Sequence, residues 1–282
     1  MRRKTLLFAA ATLLTAPLIA ERPAAAAEPL VFVGRVEAAE RAVISTRIDG
    51  VVLEILFQGG ERVAAGDPLI RLDPADAELA LAAAEARLDE AEAVLEDARR
   101  RAERQEQLAA RGVAAEAQVS PARTARASAE ARVELAQAER DRAALDLQHT
   151  VILAPIAGFI SRPALAVGAF LEAESGPPLA RIVSLDPVLV AYEAPYADRL
   201  ASLEATRAAT VDELLEGVRI TLRLPGGRIY GAEATPHAAS ADVDPVSGTV
   251  TVWARFPNPQ SLLRPGMIVD VLSQIGAGEI AE

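Results

Sequence analysis

The chain has 282 residues and a net charge of −11, from 40 acidic and 29 basic side chains. That balance excludes nucleic acid as the main partner, because affinity for a phosphate backbone is mostly cationic. There is no cysteine, so the chain has neither disulfides nor the lipid-modified cysteine of a lipoprotein. The length accommodates two or three small domains or one elongated assembly.

The first residues read as a targeting segment. A basic start, Arg2-Arg3-Lys4, precedes an apolar run over 5–20, and four alanines at 24–27 form a small-residue cleavage region. A signal peptide over 1–27 is expected, with cleavage after Ala27 preferred and after Ala20 second. A retained anchor is the remaining option, although the run is short for a span and contains Pro17. Residues 1–27 hold four basic and one acidic side chain, so the remainder carries about −14. They also hold Lys4, the only lysine.

A short β-motif then occurs twice. Setting Gly50 on Gly158, an offset of 108, also sets Gly60 on Gly168, Val43 on Val151, Ile44 on Ile152 and Val63 on Leu171. After a small insertion near Glu174, PLIRLDP at 68–74 faces PLARIVSLDP at 178–187. In the first copy, residues 51–53, 54–56 and 68–72 read as short strands. Gly50, Gly59, Gly60 and Gly66 punctuate them as turn residues, and Gly158 and Gly168 do so in the second copy.

Between the copies lies a segment of Ala, Glu, Leu, Arg and Gln, all strong helix formers. Leu81, Leu88, Leu95, Ala102 and Ala109 alternate with Ala77, Ala84, Ala91 and Ala98, which is the seam of a coiled coil. Asp73 is the expected N-cap, with Pro74 at the first helical position. Gly112 is the expected C-cap. A second helix is expected over 116–148, with a weaker seam through Ala131, Leu135, Ala138 and Leu145 that Arg142 interrupts. Pairing of the two β copies requires the insert to return to its starting point, so an antiparallel hairpin is predicted. Each arm is about 50 Å long at 1.5 Å per residue.

The last third is β-rich. Residues 218–224 alternate apolar and polar, Pro225-Gly226-Gly227 closes that strand, and 249–256 forms another. Such spacing predicts a small barrel. Short helices over 196–203 and 210–217 are expected to cover one end of it.

This arrangement resembles the periplasmic adaptor subunits of tripartite efflux pumps, also called membrane fusion proteins. The segments TVILAPIAGFI at 150–160 and FPNPQSLLRPGMIVDV at 256–271 are similar to recurring phrases of that family, and the likeness covers nearly all of 31–275. The resemblance implies a mainly β, elongated, multi-domain fold. Its parts are a split lipoyl-like barrel-sandwich hybrid (28–73 and 150–187), a coiled-coil hairpin (74–149), a β-barrel (188–275) and a tail (276–282). A membrane-proximal domain is expected to be absent.

The resemblance further implies a hairpin tip meeting a TolC-like outer-membrane channel, and docking on an inner-membrane transporter. Lateral stacking, into a hexameric ring, accompanies these contacts. At the tip, Arg104 and Leu108 fall on the family's spacing, and Ala115 stands where the family has Ser. Transporter docking is assigned to the loop Leu263, Arg264, Pro265, Gly266 and Met267. The expected location is the periplasm, in association with the inner membrane. The proton-driven resistance–nodulation–division (RND) class is preferred. The alternatives are an adaptor for an ATP-driven exporter or a free-standing coiled-coil scaffold.

Other chemistries find little support in the residues. A lipoyl or biotinyl carrier shares the half-motif, but it needs a lysine to form its amide, and 28–282 has none. The same absence removes Schiff-base chemistry. Soft-metal handling wants clustered Met, Cys or His, whereas this region holds Met267 alone with His149 and His237 far apart. Asp242 and Asp244 read as turn chemistry. No cofactor, no metal and no catalytic set is expected.

Overall fold

The computed structural model describes residues 29–112, 116–173, 175–206 and 210–275. The expected signal peptide over 1–27 and the tail over 276–282 lie outside the described residues.

Five strands precede the hairpin: β1 (Leu30–Ala38), β2 (Arg41–Ile44), β3 (Gly50–Ile55), β4 (Arg62–Val63) and β5 (Pro68–Leu72). The hairpin is α1 (Ala75–Ala110) and α2 (Glu116–His149). Four short strands follow: β6 (Val151–Leu153), β7 (Gly158–Ile160), β8 (Phe170–Leu171) and β9 (Ala180–Val183). The remainder is β10 (Val188–Pro195), α3 (Tyr196–Thr206), α4 (Val211–Glu216), β11 (Val218–Arg223) and β12 (Ile229–Ala234). It ends with β13 (Pro236–Ala239), β14 (Thr249–Phe256) and β15 (Ile268–Ile275).

The sequence repeat becomes a near-symmetric pair of sheets. One four-stranded sheet runs β2-β9-β7-β4 and the other β6-β5-β3-β8. Exchanging each strand for its repeat partner converts one order into the other, so every sheet takes two strands from each copy. The registers follow the same exchange. Ile44 faces Ala180 as Ile152 faces Ile70, and Val63 faces Gly158 as Leu171 faces Gly50. The turns do so too, since Gly60 N–H donates to the Ile160 carbonyl while Gly168 N–H donates to that of Val52, both at 2.8 Å.

Gly60 and Gly168 have φ of 89° and 86°, where a side chain is strained. Gly50 and Gly158, expected as turn residues, instead begin strands β3 and β7, and neither has a left-handed φ. At Gly158 the reason for glycine is space, because a Cβ there would lie 2.5 Å from the Val183 carbonyl oxygen. Between the sheets lies an aliphatic core that includes Ile44, Val52, Leu69, Leu72, Ile160 and Ile182.

The hairpin leaves and re-enters this domain at one point. Leu72 N–H donates to the Thr150 carbonyl at 2.8 Å and Asp73 N–H to that of Val51 at 2.9 Å. Asp73 Oδ1 also accepts the Ala75 N–H at 3.1 Å, while the helix is capped at Pro74, one residue later than expected. Every position of the predicted α1 seam is buried or half-buried, while Leu79 and Val94, outside it, are exposed.

The α2 seam is not the expected one. Ala131, Leu135, Ala138, Arg142 and Leu145 are all exposed, Leu135 at 62%. The face turned to α1 carries Val119, Ala122, Arg126, Ala129, Val133, Ala136 and Arg140, at helical spacings of three and four. Two arginines are accommodated there because the aliphatic stem can lie along the seam, and the Arg126 Nε is itself buried. Arg126 meets Glu130 at 3.7 Å and Arg140 meets Asp141 at 3.0 Å.

The third part is a seven-stranded antiparallel sheet in the order β12-β11-β15-β1-β10-β14-β13. Its edge strands β12 and β13 are consecutive in the chain, with Thr235 alone between them, so the sheet curls around its core. Val36, Val190, Ile220, Leu222, Val252, Phe256 and Val271 are the middle of that core.

One boundary moves. The first half-domain was expected to span 28–73, yet β1 lies inside the barrel sheet, pairing Leu30–Arg35 with β15 and Gly34–Ala38 with β10. A strand belongs where its backbone finds partners on both sides, and here both are barrel strands. Among the described residues, no helix is long and apolar enough to cross a membrane.

The observed seam predicts unequal effects from two similar truncations. Leu95→Ala, at a buried seam position, should cost about 2 kcal/mol or more of hairpin stability. Leu135→Ala should stay within about 0.5 kcal/mol. Denaturant unfolding with hydrogen exchange along the hairpin reads both. The opposite ranking would return α2 to the expected seam.

Candidate functional site

The site residues expected from the sequence fall at two places: the distal end of the hairpin and the junction between the split domain and the barrel.

At the distal end, α1 closes with Gly112 at φ 72°, its N–H donating to the Ala109 carbonyl at 2.9 Å. Arg104 and Leu108 stand one helical turn apart on the same face, and both are exposed, Leu108 at 40%. Ala115, the third residue expected there, lies outside the described residues. The helices are held in register by ion pairs across the hairpin. Arg87 meets Glu139 at 3.8 Å, Arg99 meets Glu130 at 3.6 Å, and Arg123 meets Glu106 at 2.7 Å. The Arg123 hydrogen bond holds the Glu106 carboxyl below its usual range. Such exposed pairs add little stability, but they oppose sliding of one helix on the other. Arg100 and Arg101 pair with Glu96 and Asp97 along the same helix, so the consecutive Arg99, Arg100 and Arg101 all have partners within the chain.

At the junction the chain crosses twice, through residues 39–40 and 184–187, and Ser184 N–H donates to the Glu40 carbonyl at 3.0 Å. A fully buried asparagine, Asn258, fixes this crossing. Its N–H donates to Asp186 Oδ1 at 2.8 Å, and its Nδ2 donates to the Leu185 and Leu263 carbonyls at 2.7 and 2.8 Å. Its Oδ1 accepts the Leu263 N–H at 3.0 Å. Tyr230 donates its hydroxyl to the neighbouring Pro257 carbonyl at 2.7 Å. Burial, with Asp186 nearby, pushes that phenol's pKa up.

The loop expected to meet the transporter belongs to this junction. Leu263 is fully buried, and Gly266 N–H donates to the Val36 carbonyl at 2.8 Å. Arg264 lies over the Phe159 ring of the split domain, 5.5 Å from its centre, in a cation–π contact. Pro265 and Met267 are half-buried, so Arg264 and Gly266 are the exposed members of the loop. Beside them is a cleft of about 320 Å³ whose walls include Glu40, Arg62, Asp186 and Arg255.

The histidines sit apart. His149 meets Arg47 at 3.4 Å at the hairpin base, and His237 meets Arg255 at 3.0 Å on the barrel. Among the described residues no group of three His, Cys, Asp or Glu side chains could hold a metal. Asp244 forms a turn, with Oδ1 accepting the Val246 and Ser247 N–H groups, and these bonds lower its pKa. Asn258 escaped the sequence reading, although it sits between two prolines in the quoted segment 256–271. That flanking was the available signal.

Known proteins share this arrangement. Residues 40–183 match the barrel-sandwich hybrid domain of RND MFPs, and residues 187–277 match the β-barrel domain of RND MFPs. The multidrug resistance protein MdtE of Escherichia coli is 30% identical over 244 residues, 86% of this chain and 63% of MdtE. The multidrug resistance protein MexA of Pseudomonas aeruginosa is 30% identical over 254 residues, 88% of this chain and 61% of MexA. The chain thus spans about three-fifths of the length of these curated relatives. A solved MacA–MexA chimera containing the P. aeruginosa MexA α-hairpin domain shares the fold. Its TM-score is 0.56 at 20% identity, covering 88% of this chain and 79% of the chimera.

Asn258→Ala would leave one buried N–H and two buried carbonyls short of a partner, and each such group costs about 1–3 kcal/mol. A loss of about 3 kcal/mol is expected in the barrel's unfolding transition, read by denaturant titration. An unchanged midpoint would show that the junction holds without this side chain.

Proposed function

The chain belongs to the membrane fusion proteins, the periplasmic adaptors of RND-type pumps, and from that premise we propose how it serves as one. It links an inner-membrane RND transporter to a TolC-like outer-membrane channel and forms part of the export conduit. It catalyses no reaction. Its work is to hold two membrane proteins at a set spacing, and its location is the periplasm, reached through the signal segment at 1–27.

The single observation behind this reading is the rooted hairpin. Helices of 36 and 34 residues extend from one point of the split domain, about 50 Å at 1.5 Å per residue. They end near the exposed pair Arg104 and Leu108, which we assign to the channel contact together with Ala115. The barrel takes the transporter contact, with Arg264 and Gly266 as the members of the 263–267 loop available to a partner. Exposed Leu79, Leu135 and Leu145 give the hairpin flanks apolar surface for neighbouring copies in a hexameric ring. Contacts between unlike faces close into such a ring.

A photo-reactive residue at position 104 or 108, activated in the intact envelope and followed by mass spectrometry, should capture an outer-membrane channel. Capture of soluble periplasmic proteins alone would replace the conduit with a free-standing scaffold.

A further inference from the structure

At the end of the barrel away from the split domain, α3 packs on β10 and α4 on β13. A cavity of about 70 Å³ lies between the helices and the strand ends. Its walls are apolar: Leu30, Phe32, Leu214, Val218 and Val252 line it, and the Phe32 and Tyr192 rings stack at 5.5 Å on one side. Into this setting α3 brings Arg199, which also lines the cavity and is only 9% exposed.

That guanidinium is unusual for its surroundings. Its Nη2 is buried without a hydrogen-bond partner, and among the described residues no carboxylate lies within ion-pair distance of it. A buried, unpaired charge is among the costlier features a fold can carry. The nearby Tyr192 phenol does not supply the missing negative charge, since burial pushes its pKa up to about 12.

We propose that this cavity binds a small amphiphilic monoanion, a carboxylate on a short alkyl or aromatic body, with Arg199 as the residue that recognises the charge. The planar guanidinium presents paired donors that match the two oxygens of a carboxylate. The apolar walls take the hydrocarbon. Asp198 also lines the cavity and its charge opposes any anion, so Arg199 is the group that has to outweigh it. Ser202 and Ser273 are on the same wall, and the Ser202 hydroxyl donates to the Asp198 carbonyl at 2.8 Å. This site is separate from the hairpin tip and the junction, so it stands whether or not the conduit reading does.

The test uses the full chain and three four-carbon probes: butanoate, 1-butanol and butylammonium. Calorimetric titration should show saturable butanoate binding, with 1-butanol at least tenfold weaker and no binding of the cation. Arg199→Gln should weaken butanoate at least tenfold. Leu214→Trp, which fills the apolar end and leaves Arg199 intact, should do the same. Without ligand, Arg199→Met should melt no lower than the parent chain, because the Nη2 has no bond to lose. Butanoate should raise the melting temperature of the parent chain and leave that of Arg199→Met unchanged. The proposal is overturned if butanoate shows no saturable binding, if 1-butanol binds as tightly, or if Arg199→Gln binds butanoate unchanged. A markedly lower melt for Arg199→Met with no butanoate binding to the parent chain would make Arg199 a structural residue and overturn it as well.

Discussion

Everything in this molecule depends on strand pairing between two segments about a hundred residues apart. Ile44 must find Ala180, and Ile70 must find Ile152, before either half of the split domain has a sheet to belong to. Closing so long a loop costs entropy that grows only slowly with length, so a large insertion is tolerated if its ends return together. An antiparallel helical hairpin meets that condition, since it begins and ends at one place. The Leu72–Thr150 hydrogen bond marks the point where outgoing and returning chain meet. The aliphatic core between the two sheets then makes the pairing stable and the hairpin base rigid.

Rigidity at the base matters because the hairpin is a lever. A few degrees of tilt where it leaves the split domain become several ångströms at its end, about 50 Å away. The barrel is tied to the same body through a junction with little freedom. Asn258 holds both the 185–186 crossing and the 263 loop, and β1 threads from the crossing into the middle of the barrel sheet. The loop that was expected to face a partner is mostly spent on this junction, through buried Leu263 and the Gly266 bond to Val36. These contacts fix the spacing and orientation of the hairpin base and the barrel relative to each other.

How much of this was legible in the sequence depended on contrast. The repeat could be read because its glycines and aliphatics recur at a fixed offset, and the strand exchange between sheets follows from it. The α1 seam could be read because Leu81, Leu88 and Leu95 stand out among alanines. In α2 the contrast misleads, since Leu135 and Leu145 face outward while Arg126 and Arg140 lie along the seam. Strand membership was the other gap. Nothing within 30–38 tells whether its partners are the adjacent β2 or the distant β10 and β15. Arg199 has no local signature, and the prolines beside Asn258 mark that residue without showing what it bonds, because burial and partners arise only when distant segments pack.

The central claim is a division of labour, in which the hairpin reaches the outer-membrane channel and the barrel holds the transporter. Its most direct measurement is affinity isolation, from the native envelope, of a chain in which residues 75–149 are replaced by a short turn that lets β5 continue into β6. The account predicts that the transporter is recovered with this shortened chain and the channel is lost. Recovery of the channel with the shortened chain, at the level seen with the full one, would contradict it.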